Sequence, residues 1–181
     1  MTLELKVLMA TFFTSDTHFY HKNIIEYCNR PYGSVEQMNE ELIKNWNLVV
    51  KPTDDIWFLG DFSFGNVEAT EEVLRQLKGR KHLITGNHDR KGRCEKLDWS
   101  LYFEDQADYH HLKVDGEKLV LCHFPYQAWE RGYINLHGHT HGTYESKWMQ
   151  HDVGVDSNNY TPIILEDAVK RAMDKEQQVL Y

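Results

Sequence analysis

Short apolar segments that end in polar residues recur along the first half of the chain. The first, residues 7–14, is rich in β-branched and aromatic side chains, which favours a buried strand. Two further apolar runs, residues 56–59 and 82–85, are each followed directly by Gly and a polar residue. Between the predicted strands, apolar side chains recur at helical spacing over residues 35–49 and 67–78. This alternation of strand and helix predicts an α/β fold.

In the second half of the chain, strands and tight turns predominate. Asp115-Gly116 is a strong hairpin signal between predicted strands over residues 109–114 and 118–122. The two halves together predict a mixed sheet system flanked by helices, with polar residues gathered at the ends of the strands. Further strands are predicted over residues 134–136, 153–155 and 162–165, and a helix is predicted from about residue 166.

Length and composition fit one globular domain over residues 1–181. Hydrophobic residues make up 41% of the chain and charged residues 27%, which are ordinary values for a protein with a packed core. No apolar run approaches the roughly 20 residues that a membrane span requires, and no export signal precedes the first strand. Three widely spaced cysteines argue against a disulfide framework and against a thiolate zinc site. A cytoplasmic protein with reduced thiols is therefore expected.

Charge and histidine content narrow the expected chemistry. A formal net charge of -8 would repel a polyanion over most of the surface, so extended nucleic-acid binding is disfavoured. A small phosphorylated substrate suits this balance better, no membrane partner is expected, and no oligomeric state is predicted. The chain also contains 11 His, several of them beside Asp, Asn or Gly. This bias indicates metal chemistry.

Residues of metal-ligand type occur where several predicted strands end. In Asp16-Thr17-His18 a carboxylate and an imidazole are two residues apart, so in extended backbone both would leave the chain on one side. Such a triplet alone is more often a solvated loop, and Gly60-Asp61 alone is more often a turn. The joint pattern favours a metal site, because every motif follows a predicted strand. In chain order the motifs are Asp16-x-His18, Gly60-Asp61, Gly86-Asn87-His88-Asp89, His123 and Gly138-His139-x-His141.

With these motifs in order from residue 13 to about residue 156, the sequence resembles the calcineurin-like metallophosphoesterases. The resemblance implies a four-layer fold in which two mixed β-sheets pack together and are flanked by helices. It also implies a centre with two metal ions that Asp61 bridges. The ligands of one ion would be Asp16, His18, Asp61 and His141, and those of the other Asp61, Asn87, His123 and His139.

The donor set and the resemblance together predict a reaction. Carboxylate, amide and imidazole ligands without thiolate suit Mn²⁺, Fe²⁺, Co²⁺, Ni²⁺ or Zn²⁺, and Mn²⁺ is the first expectation. Two such ions roughly 3.5–4 Å apart can bind a hydroxide nucleophile and polarise a phosphate ester for in-line attack. In the family the position of His88 faces the substrate as a general acid or electrostatic stabiliser, and Asp89 would orient it. We therefore expect hydrolysis of phosphate mono- or diesters, and the absence of a long insertion favours diesters.

Several residues near the motifs are weaker candidates for substrate contact. His21 follows the first motif and could reach the substrate, or it could lie behind the metal ligands. Basic residues close to the motifs could bind phosphate, although charged loop residues are usually solvated. The candidate substrate-binding residues are Asn87, His88, His21, Arg30 and Arg90, with Lys91 and Arg93 beside the last of them.

Two alternative functions remain beside the hydrolase. A non-catalytic interaction scaffold of the same fold would be expected to lose a metal ligand or His88, and here all these positions hold competent residue types. A nuclease would use the same metals but needs a basic groove, against which the acidic balance argues. The metal-dependent hydrolase is the favoured interpretation.

Overall fold

The computed structural model describes residues 9–90, 94 and 96–175, and within them the chain forms two mixed β-sheets with flanking helices. This confirms the predicted fold class. No helix in the described part of the chain is both long and apolar enough to span a membrane. In chain order the elements are β1 (Thr11–Thr14), α1 (Lys22–Tyr27), α2 (Val35–Val49), β2 (Asp55–Phe58), α3 (Val67–Gln76), β3 (Arg80–Ile84), β4 (Asp105–Ala107), β5 (Tyr109–Val114), β6 (Glu117–Cys122), β7 (Ile134–His137), β8 (Gln150–Asp152), β9 (Ile163–Ile164) and α4 (Leu165–Met173).

The first sheet has the order β4-β3-β2-β1-β9. Strands β1 to β4 are parallel to their neighbours, and β9 runs antiparallel to β1. The register pairs Thr14 with Phe58 and Phe58 with Leu83, so the carboxyl ends of β1, β2 and β3 lie side by side. The loops that leave these three ends carry the first three motifs of the sequence.

The second sheet has the order β5-β6-β7-β8. Strands β5 and β6 form the predicted hairpin around Asp115-Gly116, and β6, β7 and β8 are parallel. The residues after β6 and β7 therefore leave the sheet at one edge. An isolated parallel bridge joins Ser15, directly after β1, to Gly154, shortly after β8. The edges of the two sheets that carry the motifs thus meet.

Two hydrophobic clusters stabilise this arrangement. Helices α2 and α3 pack on the outer face of the first sheet, where the buried Trp46 ring stacks at 6.3 Å from Phe58. The second cluster lies between the sheets and contains Phe13, Leu121 and Leu136. Each fully buried side chain of this size contributes roughly 1.5–3 kcal/mol relative to an exposed one. Burial on both faces of the first sheet accounts for its continuous apolar runs in the sequence.

The predicted strand over residues 153–155 is wrong, because the last strand of the second sheet is β8, three residues earlier. All three β8 residues are polar and buried. Gln150, for example, donates from its side chain to Asn135 Oδ1 and to the Tyr126 carbonyl. Hydrogen bonding lets polar side chains occupy a buried strand, which an apolar pattern does not reveal. Residues 7 and 8 of the first predicted strand lie outside the described residues.

Candidate metal centre

The predicted ligands converge where the strand ends of the two sheets meet. Asp16, His18 and His141 form one group, in which one potential ligand atom from each residue lies within 4.8 Å of the others. A second group meets the same criterion and consists of Asp61, His123 and His139. We call these the first and the second donor group. The structure therefore brings together residues that the sequence places in four separate motifs.

Left-handed backbone at the candidate ligands makes this convergence possible. Five of them have positive φ angles, from 48° to 69°. The expected extended backbone at Asp16 and His18 is therefore wrong. Positive φ is uncommon outside glycine, although Asp, Asn and His tolerate it best, and such strain clusters at functional sites. The five residues are Asp16, His18, Asp61, His139 and His141.

Two glycines leave space that a side chain would fill. A Cβ at Gly138 would lie 2.3 Å from Asp16 Oδ2, and a Cβ at Gly86 would lie 2.2 Å from Asp61 Oδ1. Both distances are far below a van der Waals contact. The glycines are thus required for the backbone to approach the two carboxylates.

Asp61 lies between the two donor groups. Its Oδ2 atom is 3.8 Å from His18 Nε2 and 3.5 Å from His123 Nε2. Burial alone would raise the pKa of Asp61, but the hydrogen bond from His123 and the nearby imidazoles of His123 and His18 lower it to about 2. The carboxylate is therefore ionised and placed to serve both groups.

The first donor group contains buried polar atoms without hydrogen-bond partners among the described residues. These atoms are Asp16 Oδ1 and both ring nitrogens of His18. Burial raises the pKa of Asp16 to about 7 and lowers the pKa of His18 well below its usual value. Buried polar groups are nearly always satisfied, and leaving one unpaired is costly. A carboxylate oxygen and neutral imidazole nitrogens fit a divalent cation, which would supply the missing partner.

A buried ion pair supports the first donor group from behind. The Arg30 guanidinium donates to both carboxylate oxygens of Asp156 at 2.8 Å, and to the backbone oxygens of Asp16 and Thr17. His141 in turn donates from Nδ1 to Asp156 Oδ2 at 2.7 Å. This fixes the imidazole so that Nε2 remains available for a ligand.

These contacts correct one prediction and add a residue. The predicted substrate role of Arg30 is wrong, because its side chain is completely buried and its donors are occupied by the protein. Asp156 had no predicted role. It directly follows a predicted strand, which is the same signal that identified the other motifs.

The second donor group is held by backbone and lies closer to solvent. His123 Nδ1 donates to the Leu59 carbonyl at 2.7 Å, which directs Nε2 toward Asn87 Oδ1 at 3.0 Å. Burial would lower the pKa of His123, but the hydrogen bond to Asp61 and the charges of Asp16 and Asp61 raise it to about 9. His139 is exposed, and its ring packs edge-on against the exposed Phe124 at 4.6 Å. This group therefore forms the open side of the centre.

His88 and Asp89 occupy different environments. The His88 side chain is 46% exposed, and its Nε2 lies 3.9 Å from Asp61 Oδ2. Asp89 is buried, and its carboxylate accepts from the backbone N–H groups of Asp61, Phe62 and Gly86. The predicted orientation of His88 by Asp89 is wrong, because Asp89 instead joins the loops after β2 and β3.

The other substrate candidates lie around the rim. His21 caps α1 by accepting from Ile24 N, and its ring centroid is 5.8 Å from that of His18. Arg90 forms an exposed ion pair with Asp108. Substrate contact by His21 and Arg90 stays a prediction. Lys91 and Arg93 lie outside the described residues.

Comparison with known proteins agrees with this geometry. The chain is 37% identical over 167 residues to the uncharacterized protein MJ1445 of Methanocaldococcus jannaschii, covering 86% of this chain and 87% of that protein. It is 33% identical over 160 residues to the Gene 66 protein of Mycobacterium phage L5, covering 72% and 77%. The crystal structure of the protein of unknown function AQ665 from Aquifex aeolicus has a TM-score of 0.72 and 28% identity, covering 91% of this chain and 100% of that one.

The family comparison covers all the residues that the structure describes. A model of the calcineurin-like phosphoesterases matches residues 9–177, which include both sheets and every candidate ligand. The family is metal-dependent, and the two donor groups are the corresponding candidate sites in this chain. This protein belongs to the calcineurin-like phosphoesterase family.

Proposed function

We propose that this protein is a phosphodiesterase that uses two divalent metal ions, with Mn²⁺ the first choice. The observation that carries the proposal is the position of Asp61, whose Oδ2 atom lies 3.8 Å and 3.5 Å from imidazole nitrogens of the two donor groups. A carboxylate in this position can bind two neighbouring ions at once and hold them close enough to act on one phosphoryl group. The proposed ligands are Asp16, His18, Asp61 and His141 for one ion, and Asp61, Asn87, His123 and His139 for the other.

The donor chemistry favours ions such as Mn²⁺, Fe²⁺, Co²⁺, Ni²⁺ or Zn²⁺. Cys28 lies near His141 and Asp156 and is the one thiol in a candidate metal-binding group among the described residues. Burial raises the pKa of this thiol to about 11, so it is protonated at neutral pH and is a poor ligand. The proposed site therefore consists of oxygen and imidazole nitrogen donors.

The protein's own residues supply the remaining roles. When bound, the two ions would act as Lewis acids on the phosphoryl group and would activate a water molecule. The half-exposed His88 imidazole lies beside Asp61 and faces the open side, where it can donate a proton to the leaving oxygen. Asp89 fixes the loops that carry Asp61 and His88, and Asp156 fixes His141. In this proposal Asp89 and Asp156 hold other residues of the site in place, and His88 transfers the proton.

Metal removal and replacement test the proposal. We expect the metal-stripped protein to lose hydrolysis of an activated nitrophenyl phosphodiester and to regain it when Mn²⁺ or a similar ion is added. A nitrophenyl monoester assayed in parallel tests the preference for diesters. Full activity in excess chelator, with no metal found by elemental analysis, would contradict the mechanism. Equal or faster turnover of the monoester would remove the diester assignment alone.

A further inference from the structure

A cleft separate from the metal centre opens between the segment before β8 and the carboxyl end of α4. Its volume is about 660 Å³, within the range of small-molecule sites. Tyr144 and Trp148 line it from the segment before β8, and Arg171 and Lys175 line it from the last turn of α4 and just after it. None of the proposed metal ligands lines it. The cleft is therefore a second concave site with its own polar and aromatic groups.

Three cations converge on this cleft. Lys147 and Lys175 each donate to a backbone carbonyl, at 2.9 Å and 2.6 Å, and Arg171 donates to Asn158 Oδ1 at 2.9 Å. Within the described part of the chain, none of the three forms an ion pair. Three such cations in one cleft are unexpected in a chain of net charge -8. An anionic ligand that binds to them would account for their position.

Among the described residues, neither of the two carboxylates of the cleft forms an ion pair with these three cations. Asp152 accepts from Gly154 N with one oxygen, and from Thr140 Oγ1 and Gly142 N with the other. Its oxygens are thus used to hold the backbone that leads away from the metal centre. Glu145 is exposed to solvent. The cleft keeps a surplus of positive charge.

Two further groups indicate that an anion is the missing occupant. Burial lowers the pKa of Lys175 to about 8, with Asp152 acting in the opposite direction. Lys175 is therefore still a cation at neutral pH, partly withdrawn from water and without a carboxylate in contact. The buried Ser157 hydroxyl has no hydrogen-bond partner among the residues described, and Ser157 also lines the cleft. A bound phosphate would satisfy both groups.

The aromatic residues specify the rest of the ligand. Tyr144 and Trp148, from the segment before β8, line the cleft, and aromatic side chains of this kind stack on nucleobases. We propose that the cleft binds a nucleoside phosphate, with its phosphate groups on Arg171, Lys175 and Lys147 and its base against Trp148 and Tyr144. The site does not depend on the proposed hydrolytic activity, because it shares no residue with the metal centre.

Calorimetric titration of the full chain with ADP in excess chelator tests this proposal. The chelator prevents hydrolysis and removes metal-bridged phosphate binding, and inorganic pyrophosphate serves as a ligand that lacks the base. We expect saturable binding of one ADP per chain. Arg171→Ala should weaken binding of both ligands by about tenfold or more, because a hydrogen-bonded charge is lost. Lys170→Ala is the matched control, since Lys170 is exposed on the same helix and does not line the cleft.

The base contact is tested separately. Trp148→Ala should weaken ADP binding by about fivefold or more and leave pyrophosphate binding unchanged, because stacking acts only on the base. Lys175→Gln provides a second variant of the phosphate site, and thermal melting shows whether each variant is folded. Absence of saturable ADP binding would overturn the proposal. So would equal affinities for Arg171→Ala and Lys170→Ala, or a loss of binding in His139→Ala alone, which would place the ligand at the metal centre.

Discussion

The first and second donor groups differ in what holds them and in how far they lie from solvent. Asp16 and His18 are buried, and the Arg30–Asp156 ion pair fixes His141 through a side chain. In the second group a backbone carbonyl fixes His123, while His139 is exposed. The first group is therefore enclosed by the protein, whereas the second has one ligand, His139, at the surface where a substrate would bind.

This difference predicts that the two donor groups differ in metal affinity and in access to the substrate. A buried group with unsatisfied donors gains the most from a cation, so we expect the first group to retain its ion more tightly. His88 lies beside both groups, with its ring centroid 5.7 Å from that of His18 and its Nε2 3.9 Å from Asp61 Oδ2. In the second group the exposed His139 packs against the exposed Phe124, which leaves room for a phosphoryl group to approach. Variants that affect one group, or both, can test this asymmetry.

The largest effect is expected for the residue that belongs to both groups. Asp61→Asn should lower metal occupancy at both sites and abolish turnover, because one carboxylate contributes negative charge to both ions. The decrease in affinity should exceed the roughly 10–100-fold that loss of a supporting residue typically causes. Metal titration checks this, with His18→Ala and His139→Ala as controls that each affect one ion. Two tightly bound ions in Asp61→Asn would rule out the bridge.

A smaller loss of activity, without loss of metal, is expected when His88 is replaced. His88→Ala should keep both metals but lower turnover by about 10²–10⁴-fold if the imidazole is the general acid. The loss should be large for an alkyl or ribose ester and small for a nitrophenyl ester, because nitrophenolate leaves without a proton. Steady-state rates for the two substrates measure it. Equal losses with unchanged metal content would instead assign His88 to binding the phosphoryl oxygens.

The smallest effect on activity is expected for Asp156, which holds His141 of the first donor group in place. Asp156→Asn should weaken metal binding at the first group by roughly 10–100-fold and leave the second nearly unchanged, because His141 is the one proposed metal ligand that loses its anionic partner. It should also lower the free energy of unfolding by about 3–5 kcal/mol, since Arg30 is left as a buried, unpaired charge. Metal titration and denaturant unfolding measure the two changes.

The chain contains a matched control for this variant. Arg90 and Asp108 form an arginine–aspartate pair that is exposed rather than buried. Asp108→Asn should cost at most about 1 kcal/mol, because exposed ion pairs contribute little. Similar unfolding curves for Asp156→Asn and Asp108→Asn would show that the buried Arg30–Asp156 pair supports the first donor group no more than an exposed pair would.

The sequence predicted the fold class and the residues that converge, because each motif follows an apolar run that forms a buried strand. It did not predict how they converge. The Asp16-Thr17-His18 triplet does not use extended backbone, and the left-handed φ angles depend on tertiary contacts such as the bond from Asp16 N to the Gly60 carbonyl. The sequence pattern also did not predict the roles of residues whose partners lie far away in the chain. Arg30 is used for a pair 126 residues away, and Asp89 binds backbone rather than His88.

The meeting of the two sheets at the metal centre also affects how the protein acquires its ions. His139 N donates to Asp16 Oδ2 across 123 residues of sequence, so neither donor group exists until chain segments from both sheets have come together. Contacts of such high sequence separation cost loop-closure entropy and slow folding. A chain still emerging from the ribosome contains only isolated pairs of ligands, which bind ions weakly and with little discrimination. Selection among metals therefore takes place in the folded protein, where the geometry of the complete donor groups determines which ion is kept.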